Sequence, residues 1–210
     1  MEMARVGLAK AGDRRTNVYR SLDLIREDVE CKVAEQVLLK PNFLSNKNQL
    51  ASTHPDAIRG AIDFLLSTPT PPKEIIIAEG GNEDFSGETF ANFGYPMLQD
   101  EYSVPIRLVD INEETEWEET TIYMAGGVET IVRMPKIVLD CPCTISVAIA
   151  KTHDVCVVTL AQKNMIMGTL HKDDRIKMHG YPSHDERILP SEAQVLNVNL
   201  IRLAQYLKPD

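Results

Sequence analysis

The apolar positions of the chain follow two periods, and the period switches from segment to segment. In "EQVLLKPNF" and "EIIIAEGG" (74–81) they form short continuous runs, as expected of strands covered on both faces of a parallel sheet, and "PIRLVDIN" (105–112) is a third strand. Between the first two, "THPDAIRGAIDFLLS" (53–67) puts Ile58, Ile62, Leu65 and Leu66 on one helical stripe, with Thr53 as cap and Pro55 in the first turn. "TNVYRSLDLIREDVE" (16–30) repeats that pattern with Val18, Leu22, Ile25 and Val29, and Thr16 as N-cap. "SGETFANFGY" (86–95) predicts a short helix closed by Gly94, and "SEAQVLNVNLIRLAQYL" (191–207) a longer one capped by Ser191. "ARVGLA" (4–9) alternates like a short strand, and "KIVLDCP" and "TISVAIAK" read as buried strands. "ETEWEETTIYMAGGVETIVRMP" is a β-hairpin around Gly-Gly. From Lys172 to Pro190 the chain is polar and aperiodic, a long loop.

Strands alternating with helices predict an α/β fold, a mostly parallel sheet flanked by helices with an inserted β-hairpin, and a single α/β domain over 1–210. In such sheets ligands sit beyond the carboxyl ends of the strands. The unusual polar residues cluster at those ends: Lys40-Pro41-Asn42, Glu79-Gly80-Gly81, Asp110 to Asn112, Asp140-Cys141 and Lys151-Thr152-His153.

The charge narrows the partners. A formal net charge of −9 argues against a nucleic-acid binder, which needs a basic face to displace counterions, but leaves room for a small basic pocket. No signal-like or membrane-spanning apolar run occurs, so no membrane partner and a cytoplasmic location are expected. Cys31, Cys141, Cys143 and Cys156 form no CxxC pair, which leaves no support for a zinc ribbon or a ferredoxin-type cluster.

The chemistry concentrates in "AIAKTHDVCVVTLAQKNMIMG" (148–168), an apolar stretch that carries Lys151, His153, Lys163 and Asn164. A lysine among apolar side chains either snorkels, binds an anion, or has a lowered pKa and serves as a base or Schiff-base amine. Lys40, Asn42 and His54 form a second group, with His54 at a helix N-terminus that favours the neutral ring. Glu79, before two glycines, suits a metal, an amine or a hydroxyl, and the loop matches no phosphate-binding motif. His171, His179 and His184 crowd one polar segment and are candidate ligands for a divalent metal, although histidines of a solvated loop are the commoner case. Two functions follow from these groups. In one, Lys40, Lys151 and Lys163 hold a small anionic metabolite, a carboxylate or phosphate, in a Lys/His-lined cleft, with His153 as acid or base and Asn42 and Asn164 orienting. In the other, the histidines serve a non-catalytic module that handles a metal or cofactor for redox proteins.

The elements "VLLKPNF…THPDAIRGAIDFL", "IIIAEGG…ETFANFGY", "AKTHDVCVVTLAQKNMIMG" and "NVNLIRLAQYLKPD", taken in order, resemble the bacterial and archaeal domain of unknown function numbered 362, over about residues 36–210. Many relatives carry a ferredoxin-like iron–sulfur domain. This chain has no such cysteine pattern, so that property is not carried over. The resemblance also implies an Asn and a Pro-Lys pair before the K-T-H element, where Ser146, Ala148 and Ile149 stand here, and a further strand after "LKPD". It implies no particular reaction.

Overall fold

The computed structural model describes residues 4–10, 12–82, 85–183, 185 and 189–210, with 189–193 by backbone alone. Strands β1 (Gln36–Lys40), β2 (Glu74–Glu79), β3 (Ile106–Asp110) and, after the antiparallel hairpin of β4 (Trp117–Tyr123) and β5 (Glu129–Pro135), β6 (Thr144–Ser146) carry the framework. The first three and β6 form one parallel sheet in the order β3-β2-β1-β6. The continuous apolar runs are explained by that sheet being covered twice. Val37 and Leu39 of β1, with Ile75 and Ile77 of β2, face one core; Leu38, with Ile76 and Ala78, faces the other.

The first core is roofed by α1 (Arg14–Asp23), α3 (Pro55–Leu66) and the short α4 (Glu88–Asn92) and α5 (Met97–Glu101); α2 (Arg26–Glu30) follows α1. Phe43, Phe90, Phe93 and Tyr95 gather there, ring centroids 5.1–5.7 Å apart, and hold the loop that leaves β1. The second core is closed by the β4–β5 hairpin, α6 (Lys136–Leu139), α7 (Ala161–Thr169) and α8 (Leu189–Leu203). Between β6 and α7 the chain makes a small second hairpin, β7 (Lys151–His153) with β8 (Val157–Thr159). At the free side of β6, the Asp210 amide donates to the Thr144 carbonyl at 2.9 Å, and its carboxylate accepts from the Thr144 amide at 2.8 Å.

Several local expectations change. Residues 4–9 form no strand. Val6 and Leu8 are 87% and 82% exposed, so their alternation has neither a buried face nor a paired backbone to enforce it. "KIVLDCP" is the single helical turn α6, a short apolar run that periodicity cannot assign. Its Asp140-Cys141 therefore ends no strand, and the Cys141 thiol lies against Gln36 at the start of β1, away from the carboxyl ends. "TISVAIAK" yields only the three-residue β6, and Lys151–His153 belongs to the small hairpin rather than to the main sheet. Caps shift by one to three residues: Asp13 rather than Thr16 caps α1, and the His54 ring rather than Thr53 caps α3, accepting from the Asp56 amide at 3.1 Å. The helix read from Ser191 begins at Leu189. The expected long loop contains two 3-10 turns, Lys172–Asp174 and Ile176–His179, the first fixed by the buried Asp174 carboxylate bound to Arg133 and Lys177. Among the described residues no helix is long and apolar enough to cross a membrane.

Candidate active site

β1 pairs with β2 on one side and with the much later β6 on the other, so the strand order reverses beside β1. Loops leaving adjacent carboxyl ends diverge at such a point and open a crevice. A cleft of about 890 Å³ lies there. Its walls come from the ends of β1 (Asn42, Phe43), β2 (Gly80, Gly81) and β3 (Asn112), from the small hairpin, from one face of α7 and from the 3-10 turns. That size admits a small metabolite with room to spare.

Beneath the cleft lies a buried ion pair. Lys40 and Glu79 are 0% and 1% exposed, with Nζ 2.7 Å from Oε2. Two charges removed from water need every donor and acceptor satisfied, and here they are. Glu79 Oε2 also accepts from the Phe43 amide at 3.0 Å, and Oε1 from the Gly80 and Gly81 amides at 2.9 and 2.7 Å. Lys40 Nζ donates to the Pro41 carbonyl at 2.8 Å and to Asn164 Oδ1 at 3.4 Å. Burial pulls the Lys40 amine below the ordinary lysine range, while Glu79 opposes the shift. Gly168 of α7 makes the arrangement possible: a Cβ there would lie 2.4 Å from Lys40 Nζ and 3.1 Å from Glu79 Oε1.

Hydrogen-bond polarity then runs outward from the pair. The ammonium can only donate, so the buried Asn164 turns Oδ1 toward it and uses Nδ2 on the Lys40 carbonyl (3.1 Å) and Ser146 Oγ (2.9 Å). Asn42 must therefore present Nδ2 to Asn164 Oδ1, at 3.0 Å, which leaves Asn42 Oδ1 as a buried acceptor without a partner.

On the other wall, Arg175 spends its guanidinium on neutral acceptors. Nε donates to the Leu170 carbonyl at 2.9 Å, Nη1 to the Gly80 carbonyl at 3.2 Å and to that of Gly81, and Nη2 to Asn112 Oδ1 at 3.2 Å. Asn112 in turn donates to the Gly80 carbonyl at 2.8 Å. No carboxylate pairs with Arg175 among the described residues, and burial lowers its pKa.

The small hairpin and α7 supply the remaining cations. Lys151 donates to the buried Thr159 hydroxyl at 3.3 Å and makes no ion pair, while Lys163 makes neither hydrogen bond nor ion pair among the described residues. Burial lowers the pKa of both, and Lys151 lowers that of Lys163 further. His153 lines the same cleft. The Val155 and Cys156 amides donate to its Nδ1 at 3.1 and 3.4 Å, so the neutral ring carries its proton on Nε2. The exposed Asp154 carboxylate, 2.9 Å from the same nitrogen, forms an ion pair only with a protonated ring. Burial, and then Lys163, push the His153 pKa down to about 4.

The structure thus brings Lys151, His153, Lys163, Asn42 and Asn164 to one cleft, with Lys40 and Glu79 paired in its floor. His54 caps α3 and lines no part of the cleft. Of the histidines considered for a metal, His179 lines the cleft, His171 packs edge-on against Trp117 with centroids 4.9 Å apart, and His184 lies outside the described residues. Among the described residues no three His, Cys, Asp or Glu side chains gather to hold a metal ion. Nothing in the sequence marks Arg175, which sits in "HKDDRIKMHG" between His171 and His179. No motif marks a guanidinium that binds backbone carbonyls.

The model of a domain of unknown function, DUF362, matches residues 37–210. No curated protein matches the chain. Among solved structures, the lactate racemase apoprotein from Thermoanaerobacterium thermosaccharolyticum superposes with a TM-score of 0.56 at 12% identity, over 93% of this chain and 47% of that one. The likeness is one of fold, and this chain spans about half the length of that protein.

Proposed function

The chain belongs to the DUF362 family, and from that premise we propose that it binds a small anionic metabolite, a carboxylate or phosphate, in the cleft at the carboxyl edge of the sheet. One observation carries this reading: Lys151, Lys163 and Arg175 line a single cleft, and none of them has a carboxylate partner among the described residues. Partly buried cations without a carboxylate in ion-pair contact are costly, and an anion between them relieves the cost. In a chain of net charge −9 such a pocket also focuses the local field on anions. The neutral His153 presents an Nε2–H to polarise a ligand oxygen, while Asn164, whose amide is fully engaged within the protein, fixes Asn42 in the cleft wall. Lys40 acts from beneath, through Asn164. The fold resembles that of a lactate racemase apoprotein, and lactate is a small carboxylate of the size this cleft admits.

Calorimetric titration with pyruvate, lactate and inorganic phosphate tests the reading. Lys151→Met and Lys163→Met lose binding of the preferred anion by tenfold or more, about 1.4 kcal/mol or more each, with unchanged thermal unfolding. Unfolding of both variants, or full affinity in both, rejects it. Metal analysis of the purified protein addresses the metal-handling alternative: stoichiometric nickel, iron or zinc, lost on replacing His171, His179 and His184, supports that module instead.

A further inference from the structure

The two hairpin and helix lysines are not equivalent. Lys151 retains a hydroxyl partner in Thr159, at 3.3 Å, and so keeps a hydrogen bond in its charged state. Lys163 has no partner among the described residues, stands one residue before the buried Asn164, and projects into the cleft from the same helix face as Met167 and Gly168. A half-buried amine beside a second ammonium, with no carboxylate in ion-pair contact, is shifted toward its neutral form, and a neutral amine is a nucleophile. On the reading that the cleft takes a small carboxylate, we propose that Lys163 is a reactive amine that condenses with the carbonyl of a 2-oxo acid whose carboxylate rests on Lys151.

The step balances without a further reagent. The Lys163 Nζ lone pair forms a bond to the carbonyl carbon, and the carbonyl π pair moves to oxygen, which the His153 Nε2–H polarises. The two amine hydrogens leave with that oxygen as water, and a carbon–nitrogen double bond remains. His153 suits this role because its Nδ1 is held by two backbone amides, so the ring offers a hydrogen-bond donor to the ligand rather than a free base. The lowered pKa of Lys163, set by burial and helped by Lys151 against the opposing pull of Cys156 and Asp154, agrees with the neutral amine that the step needs.

The experiment is reductive trapping. The full chain is incubated with pyruvate and with glyoxylate in turn, borohydride is added, and the adduct is mapped by peptide mass spectrometry. The proposal expects one adduct on the Lys163 peptide, formed about tenfold or more faster than on the exposed Lys47 and Lys208. Lys163→Met and Lys163→Arg lose that adduct, and Lys151→Met forms it more slowly at low pyruvate and recovers only part of the rate at high pyruvate, because Lys151 also favours the neutral Lys163 amine. Pyruvate binding by calorimetry without any Lys163 adduct overturns this proposal and leaves the anion-binding reading standing. Adducts spread evenly over exposed lysines also overturn it. Absence of the adduct together with absence of binding of pyruvate, lactate and phosphate overturns both. The wild-type peptide map decides the question even where a variant fails to fold.

Discussion

At the scale of single residues, three lysines of similar sequence context come to three different states. Lys40 is fully buried and neutralised by Glu79; Lys151 holds a hydroxyl; Lys163 holds nothing among the described residues. Each ends or interrupts an apolar run, and nothing within several residues of each distinguishes them. The pair in the floor makes a sharp prediction. Lys40→Met leaves the Glu79 carboxylate buried with only backbone amides and should cost about 3–5 kcal/mol. The double variant Lys40→Met, Glu79→Gln should recover a large part of that loss, because no uncompensated charge then remains. Urea unfolding of the two variants measures this. A double variant no more stable than Lys40→Met would show that the pair acts through shape rather than charge.

Among elements, the β7–β8 hairpin carries the most information. Three residues, Asp154 to Cys156, connect strands whose last pair is His153 with Val157. A three-residue hairpin closes with a left-handed residue, normally glycine, and here Val157 takes that conformation with φ of +68°. A β-branched side chain is disfavoured there by about 1–2 kcal/mol. Val157→Gly should therefore stabilise the protein by about 1 kcal/mol in urea unfolding, since Val157 is exposed and gives up little packing. A destabilised variant would mean that the valine side chain makes a contact outweighing its backbone strain. This hairpin also shows where element assignment from sequence ends. "TISVAIAK" and "DVCVVTL" are both apolar enough for the main sheet, yet β6 stops after Ser146 and the rest turns out over the cleft, carrying Lys151 and His153 with it.

For the whole molecule, the cleft depends on parts joined from far along the chain. Arg175 ties the glycine turn after β2 to Asn112 after β3 and to the Leu170 carbonyl beyond α7. A Cβ on Gly80 would lie 2.3 Å from its Nη2, so turn and guanidinium require each other. Arg175→Met should strand several carbonyl acceptors and cost about 3 kcal/mol or more, at about 1–3 kcal/mol for each buried acceptor left unmet. It should also weaken anion binding at pH 7 beyond the effect of charge alone, so that Arg175→Lys, which keeps the charge, does not restore affinity. Paired denaturation and calorimetry on both variants measure this; full recovery by lysine would reduce Arg175 to a charge.

The sequence by itself determined the alternation of strands and helices, the two-sided burial of β1 and β2, the β4–β5 hairpin, and the gathering of polar residues at the carboxyl ends of the strands. These are local properties. Side-chain period and continuous apolarity follow from a few neighbouring residues, and the sheet rule turns them into a site. It did not determine the state of any charge in that site. Lys40 is neutralised by a carboxylate on the next strand, Asn42 is oriented by an amide on α7, and Arg175 is held by carbonyls from three separate segments. Only the tertiary structure brings those partners within 3–4 Å, and the energy of a buried charge depends on its immediate partners far more than on its neighbours in sequence.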